Sequence, residues 1–219
     1  MSIRGVLFDF SGTLFHLEPS AEWFDGYALD RARMIDVLTS PASSGYLPED
    51  LRDAWERRDL DPDIHHTVYL TALRAAAPGV PGEVLESIYR RVPAAESWLP
   101  YPDTGAALSR LRDAGVPVAV ISNIPWDIRG VFDRNGMADL VDEYVLSYAE
   151  GVMKPDPKIF LTACERIGVE PKHAMMIGDN EEADGGARRI GCRFAAVKRV
   201  PPAQRPDALV RTLARTIFV

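Results

Sequence analysis

The 219-residue chain reads as an α/β protein, a doubly wound parallel sheet interrupted by an all-helical insertion. Three observations predict this. Short apolar runs bounded by Gly, Pro or polar residues recur as "IRGVLFDF", "VPVAVISN", "EYVLSY", "HAMMIGD" and "RFAAVK"; runs this short suit strands buried on both faces. From the second run onward they alternate with helical patterns, as a parallel sheet with helical crossovers requires. Between the first run and "PDTGAALSRL" the sequence shows helix-like stretches and no strand.

The first strand, "IRGVLFDF", runs into Asp9. Four helices are then predicted near residues 20–39, 48–59, 64–77 and 82–92, broken by "SPASSG" and "PGVPG". Pro48 and Pro62 stand near helix starts, where a missing N–H is harmless. The sheet resumes with "GAALSRLRDAG" as a helix before the second strand, and "DIRGVFDRNG", "PKIFLTACERIG" and "EADGGARRIG" as the helices between later strands. Residues 1–14 and 97–219 are therefore expected to form the core and 15–96 a helical cap.

Composition narrows the chemistry. A formal net charge of -7 removes the general attraction to phosphate backbones, so neither nucleic acid nor an anionic membrane is expected as a partner. A small molecule is favoured. Cys164 and Cys192 have no metal-ligand spacing and read as reduced, buried thiols. No apolar run reaches the roughly 18 residues of a membrane span, and the first residues lack signal-peptide character, so a cytoplasmic location is expected.

In open α/β sheets ligands sit beyond the carboxyl ends of the strands. Polar residues there should converge: Asp9 with Ser11 and Thr13, Ser122 with Asn123, and Asp179 with Asn180. Each motif taken alone has a plainer reading, since "DFSGT" and "ISN" also suit turns or caps. In "KPDP", Asp156 reads as a helix cap with Pro157 at the first helical position. Lys154 resists that reading, because the insertion and the first half of the core contain no lysine. Asp179 and Asp184 are five positions apart; if they meet Asp9, the three carboxylates need a compensating cation. Mg²⁺ suits an all-oxygen donor set.

Taken in order, "DFSGTL", "ISN", "KPDPKIF" and "GDNEEAD" resemble the four motifs of the haloacid dehalogenase-like superfamily. The resemblance implies a Rossmann-like core, a helical cap inserted after the first strand, an aspartate nucleophile and, for the family's phosphatases, Mg²⁺. It implies that Asp9 attacks phosphorus to form an aspartyl phosphate. Ser11, Gly12, Thr13, Ser122, Asn123 and Lys154 would bind the phosphoryl group, Ser122 and Lys154 taking part in catalysis. The implied metal ligands are Asp9, the backbone carbonyl of Ser11 and Asp179, with Asp184 in the same site orienting Lys154 or a metal-bound water.

Ser11 departs from the family pattern, in which most phosphatases carry an aspartate that protonates the leaving oxygen. Acid/base catalysis of that kind is worth about 10²- to 10⁴-fold, or roughly 3 to 5 kcal/mol of barrier. The L-2-haloacid dehalogenases also lack this aspartate, but carry an aromatic residue there and need no metal, which "GDNEEAD" argues against. Phosphonoacetaldehyde hydrolases need a cap lysine, and residues 15–100 contain none. P-type ATPases carry a threonine at this position, yet nothing here suggests a pump. The expectation is an Mg²⁺-dependent hydrolase of a small phosphorylated metabolite, slow or substrate-restricted through Ser11; the alternative is a weakly active or inactive phosphate-binding module.

In the cap, "PASSGYLP" with Ser43, Ser44 and Tyr46 reads as a substrate-facing loop or a polar connection. His16 and Trp23 are candidates for the cleft wall. His65 and His66, adjacent on a helix, diverge and are given no catalytic role. Trp55 and Trp98 are expected to pack, and Trp126 to pack or to line a pocket.

Overall fold

The structure, a computed structural model, describes residues 2–24, 27, 29–39 and 45–217. In chain order the elements are β1 (Gly5–Phe8), β2 (Phe15–Leu17), α1 (Arg31–Thr39), α2 (Arg52–Arg57), α3 (Pro62–Ala76), α4 (Gly82–Arg90), β3 (Trp98–Pro100) and α5 (Thr104–Asp113). There follow β4 (Val118–Ser122), α6 (Arg129–Arg134), β5 (Glu143–Leu146), α7 (Ser147–Glu150), α8 (Pro157–Arg166), β6 (Ala174–Gly178), β7 (Arg193–Ala196) and α9 (Ala208–Thr216).

Five strands form a parallel sheet in the order β5-β4-β1-β6-β7, and all five were legible as apolar runs. Side chains alternate across it as the pleat demands. Val6 and Phe8 of β1 join Val118, Val120, Met175 and Ile177 in one apolar layer. Leu7 joins Ala119, Ile121, Met176 and α8 residues Ile159 and Phe160 in the other. Both faces are covered by helices, so the doubly wound α/β class holds. The chain winds outward from β1 through β4 and β5, then returns to the opposite side through β6 and β7. That reversal opens a crevice at the carboxyl end of β1.

The insertion contains the four predicted helical regions, with two corrections. It was expected to hold no strand, but β2 and β3 pair antiparallel, Phe15 opposite Pro100 and Leu17 opposite Trp98. Three-residue strands with partners this far apart in the chain leave no periodic trace in sequence. The first expected helix is a 3-10 turn at Ala21–Trp23 followed by α1, and the second is α2 flanked by 3-10 turns at Glu49–Leu51 and Arg58–Leu60. We propose the division into a core of 1–14 and 97–219 and a cap of 15–96, with the β2–β3 ribbon straddling both boundaries.

Helix α3 starts at Pro62 because the Asp61 carboxylate accepts from the N–H groups of Asp63 (2.8 Å) and Ile64 (3.2 Å), a favourable cap. Asp156 caps α8 in the same way, accepting from the Lys158 N–H at 2.8 Å. The helix expected at "EADGGARRIG" is 3-10 over Asp184–Ile190: a Cβ on Gly186 would lie 2.7 Å from the Pro155 side chain, so close packing rather than helix propensity sets its course. Helix α9 was not read from the sequence; it buries Leu209 and Leu213 and is capped by Asp103, whose carboxylate accepts from Leu209 (2.7 Å) and Val210 (3.0 Å). Cys164 and Cys192 are buried and free. Among the described residues no helix is long and apolar enough to cross a membrane.

Candidate active site

The chain leaves β1 at Asp9 and turns sharply. Gly12 takes φ +86°, a left-handed conformation that glycine adopts without strain, and its N–H bonds the Phe15 carbonyl at 2.7 Å. The turn brings the Thr13 hydroxyl 3.0 Å from Asp9 Oδ2, to which it donates. The Asp9 N–H, donating to Ile177 at 3.0 Å, ties the residue to β6.

Lys154 is buried and joins two strand ends. Its Nζ donates to Asp9 Oδ1 at 2.7 Å and to Asp184 Oδ1 at 2.6 Å. Asn123, just past β4, holds the lysine backbone at both ends: its Nδ2 donates to the Lys154 carbonyl (2.9 Å) and its Oδ1 accepts from the Lys154 N–H (2.7 Å). The expected phosphate ligand is thus engaged as a clamp on Lys154. Asp184 accepts from the Asn180 N–H through Oδ2 at 3.0 Å. Gly178 makes room for it, since a Cβ there would fall 2.1 Å from that same oxygen.

Asp9, Asp179 and Asp184 each present an oxygen within 4.8 Å of the others. Burial raises all three carboxyls above their usual range. For Asp9, Lys154 opposes the rise and Asp179 adds to it. Arg199, 3.9 Å away, opposes it at Asp179 while Asp184 adds to it. At Asp184 the opposing group is Lys154 and the adding group Asp9. Burial alone would lower Lys154, but the Asp184 and Asp9 carboxylates overcome it and hold the ammonium above its ordinary value. Three converging hard oxygen donors, crowded enough to resist ionisation, fit a small divalent cation such as Mg²⁺.

A cavity of about 210 Å³ opens over this cluster. Its floor includes Asp9, Ser11, Ser122, Lys154, Asp179 and Asp184, so the residues expected at the strand ends do converge; Thr13 is fully buried behind Asp9. Its roof comes from the insertion and had not been foreseen: Arg58, Asp59, His65 and Tyr69. In "RRDLDPD" only Asp59 is buried, where the turn docks onto the core. The Ser147 hydroxyl donates to the Asp59 carbonyl at 2.6 Å and accepts from the Ile124 N–H at 2.9 Å.

His65 stacks on Tyr69 with ring centroids 3.9 Å apart, and its Nδ1 lies 2.7 Å from the Tyr89 hydroxyl. Trp126 is a pocket wall, edge-on to His65. The Trp126 Nε1 and Arg58 Nε atoms are buried with no hydrogen-bond partner among the described residues. Trp55 packs beneath the Arg58 guanidinium (3.5 Å) and Trp98 against Phe10 (4.9 Å), Trp98 also reaching the cavity. His16 and Trp23 do not line it: His16 packs on Tyr101, and Trp23 is buried in the apolar layer. His66 pairs with Glu86 at 3.0 Å. Ser43 and Ser44 lie outside the described residues, and Tyr46 packs against the apolar layer.

A second unforeseen residue supports the site from behind. Arg205, almost fully buried, donates to the Gly12 carbonyl (2.8 Å) and to the Thr13 carbonyl, and lies over the Tyr101 ring at 3.4 Å. It arrives from the segment before α9, far from the motif it holds.

The sequence model of the haloacid dehalogenase-like hydrolases matches residues 3–191. The chain belongs to this family. This hydrolase is 30% identical over 200 residues to a glyceraldehyde 3-phosphate phosphatase of Methanopyrus kandleri, covering 90% of this chain and 84% of that one. It is 28% identical over 194 residues to a ribulose-1,5-bisphosphate 5-phosphatase of Halopiger xanaduensis, covering 85% and 81%. Among solved structures, a phosphatase of the family from Thermococcus onnurineus superposes with a TM-score of 0.58 at 25% identity, over 90% of this chain and 86% of that one. A dehalogenase solved with an intermediate complex superposes with a TM-score of 0.74 over 98% and 97%; at 21% identity that likeness concerns the fold alone.

Proposed function

We propose that this hydrolase removes phosphate from a small phosphorylated metabolite, with Asp9 as nucleophile and Mg²⁺ as cofactor. The observation that carries the reading is the buried Lys154, bridging Asp9 and Asp184 beneath a cavity that Asp179 also enters. The Asp9 Oδ2 atom, which accepts from the Thr13 hydroxyl, attacks phosphorus while Lys154 holds Oδ1. Ser122 and Ser11 present hydroxyls to the phosphoryl oxygens, and Asn123 keeps Lys154 in place. Asp9, the Ser11 carbonyl and Asp179, with Asp184 behind, would hold Mg²⁺, which when bound would supply positive charge beside the phosphoryl group. The relatives named as phosphatases of small sugar phosphates support the same class.

Ser11 favours a second reading, a phosphate-binding module with little turnover, because a hydroxyl cannot shuttle protons near neutral pH. Rapid-mix acid quench with acetyl phosphate and Mg²⁺ separates the two. Wild type is expected to show a burst of covalent phosphate that Asp9→Asn abolishes. Binding of acetyl phosphate without covalent phosphate or turnover would leave the binding module as the better account.

A further inference from the structure

Ser11 leaves the site without a proton donor on the nucleophile loop, yet the cavity contains another carboxyl. Asp59 enters from the cap, on the 3-10 turn Arg58–Leu60. It is 4% exposed, an unusual state for an aspartate unless it is paired or has work to do.

Three features fix where it sits. The Ser147 hydroxyl grips the Asp59 carbonyl and the Ile124 N–H together, tying the turn to the loop that carries Ser122 and Asn123. The Arg58 Nη2 lies 2.9 Å from Asp59 Oδ2, and the His65 Nε2 lies 4.0 Å from Oδ1. Tyr69, stacked on His65, closes the same wall. The acid is therefore positioned by the core as much as by the cap, in the cap-derived wall of the cavity that Asp9 also lines.

Resting on the phosphatase reading above, we propose that Asp59 is the general acid and base of this enzyme, supplying from the cap the proton transfer that Ser11 cannot perform. As Asp9 Oδ attacks phosphorus and the bond to the bridging oxygen breaks, the Asp59 carboxyl gives its proton to that oxygen and the alcohol departs. Water then attacks the aspartyl phosphate, the Asp59 carboxylate takes one of its protons, inorganic phosphate leaves and Asp9 is regenerated. Each proton given in the first half returns in the second.

The electrostatics suit both halves. Burial lifts the Asp59 carboxyl to about 6 against the opposing pull of Arg58 and Lys154, near the pH at which an acid/base serves both directions. The neighbouring His65 does not compete for the role: burial, Arg58 and His66 all hold it neutral, well below its usual value. Burial likewise keeps Tyr69 protonated, its hydroxyl lifted to about 12.

The test uses the full chain with Mg²⁺ and compares the phosphorylation burst from 2-glycerol phosphate, whose alkoxide needs a proton, with that from p-nitrophenyl phosphate, whose leaving group does not. Asp59→Asn is expected to slow the first burst by about 10²- to 10⁴-fold and the second by less than about tenfold, while hydrolysis of the phosphoenzyme slows equally after either substrate. The wild-type burst from 2-glycerol phosphate should fall as pH rises through about 6, and the variant should lack that limb. Equal loss on both substrates, or loss on neither, overturns the proposal. Should Asp59→Asn fail to fold, Ser147→Ala, which frees the turn, must show the same selective loss at smaller size. Absence of phosphoenzyme from both substrates in wild type, with Asp9 intact, overturns the phosphatase reading itself.

Discussion

A methyl group at position 12 would lie 2.4 Å from the Asp179 Oδ2 atom, on a backbone already at φ +86°. The same residue therefore shapes the turn after Asp9 and leaves room for a carboxylate from another strand. Gly12→Ala is expected to cost more than about 1 kcal/mol in urea unfolding, because alanine cannot take the native φ without strain. It should also weaken Mg²⁺ binding at least tenfold by isothermal titration calorimetry on metal-free protein, as Asp179 is pushed aside. A variant that lost stability while keeping full Mg²⁺ affinity would remove Asp179 from the metal site.

Elements meet at the site through groups that belong to neither motif. The segment leading into α9 holds the nucleophile turn through Arg205, whose guanidinium bridges the carbonyls of Gly12 and Thr13. Two carbonyls left buried without a donor cost about 1–3 kcal/mol each. Arg205→Met should therefore destabilise the protein by roughly 2 kcal/mol or more and lower kcat, while Arg205→Lys restores little, because a point charge does not reproduce the planar fork. Circular dichroism melts and steady-state assays on the two variants test this; recovery with lysine would show that charge, not geometry, is what the turn needs.

Across the whole molecule, stability and catalysis share the same buried charges. Folding raises the Asp59 carboxyl from 3.8 to about 6, so between those values the folded state binds more protons than the unfolded one. The contribution of Asp59 to stability is then fully present below about pH 4 and is lost as pH rises through about 6. A shift of about two units corresponds to about 3 kcal/mol. The unfolding free energy of wild type minus that of Asp59→Asn should fall by about that amount between pH 4 and pH 7, and then level off. A flat difference across this range would mean that Arg58 keeps Asp59 ionised throughout. The buried acid that destabilises the neutral-pH fold is the one assigned to proton transfer, which is the trade expected where function sets a buried charge.

The sequence by itself determined the five core strands, the helical character of the insertion and the strand-end residues that converge at Asp9. Each rests on local physics: apolar runs of strand length, helix starts at Pro62 and Asp156, and polar residues where a buried strand must end. The family followed from the order of four short motifs. Only the tertiary structure decided the β2–β3 ribbon, the 3-10 course of Asp184–Ile190, the clamp of Asn123 on Lys154, and the burial of Asp59 and Arg205. These depend on which distant segments dock together. A charged residue in a polar run looks the same in sequence whether water or a protein wall surrounds it, because its burial is a property of the partner surface and not of its neighbours in the chain.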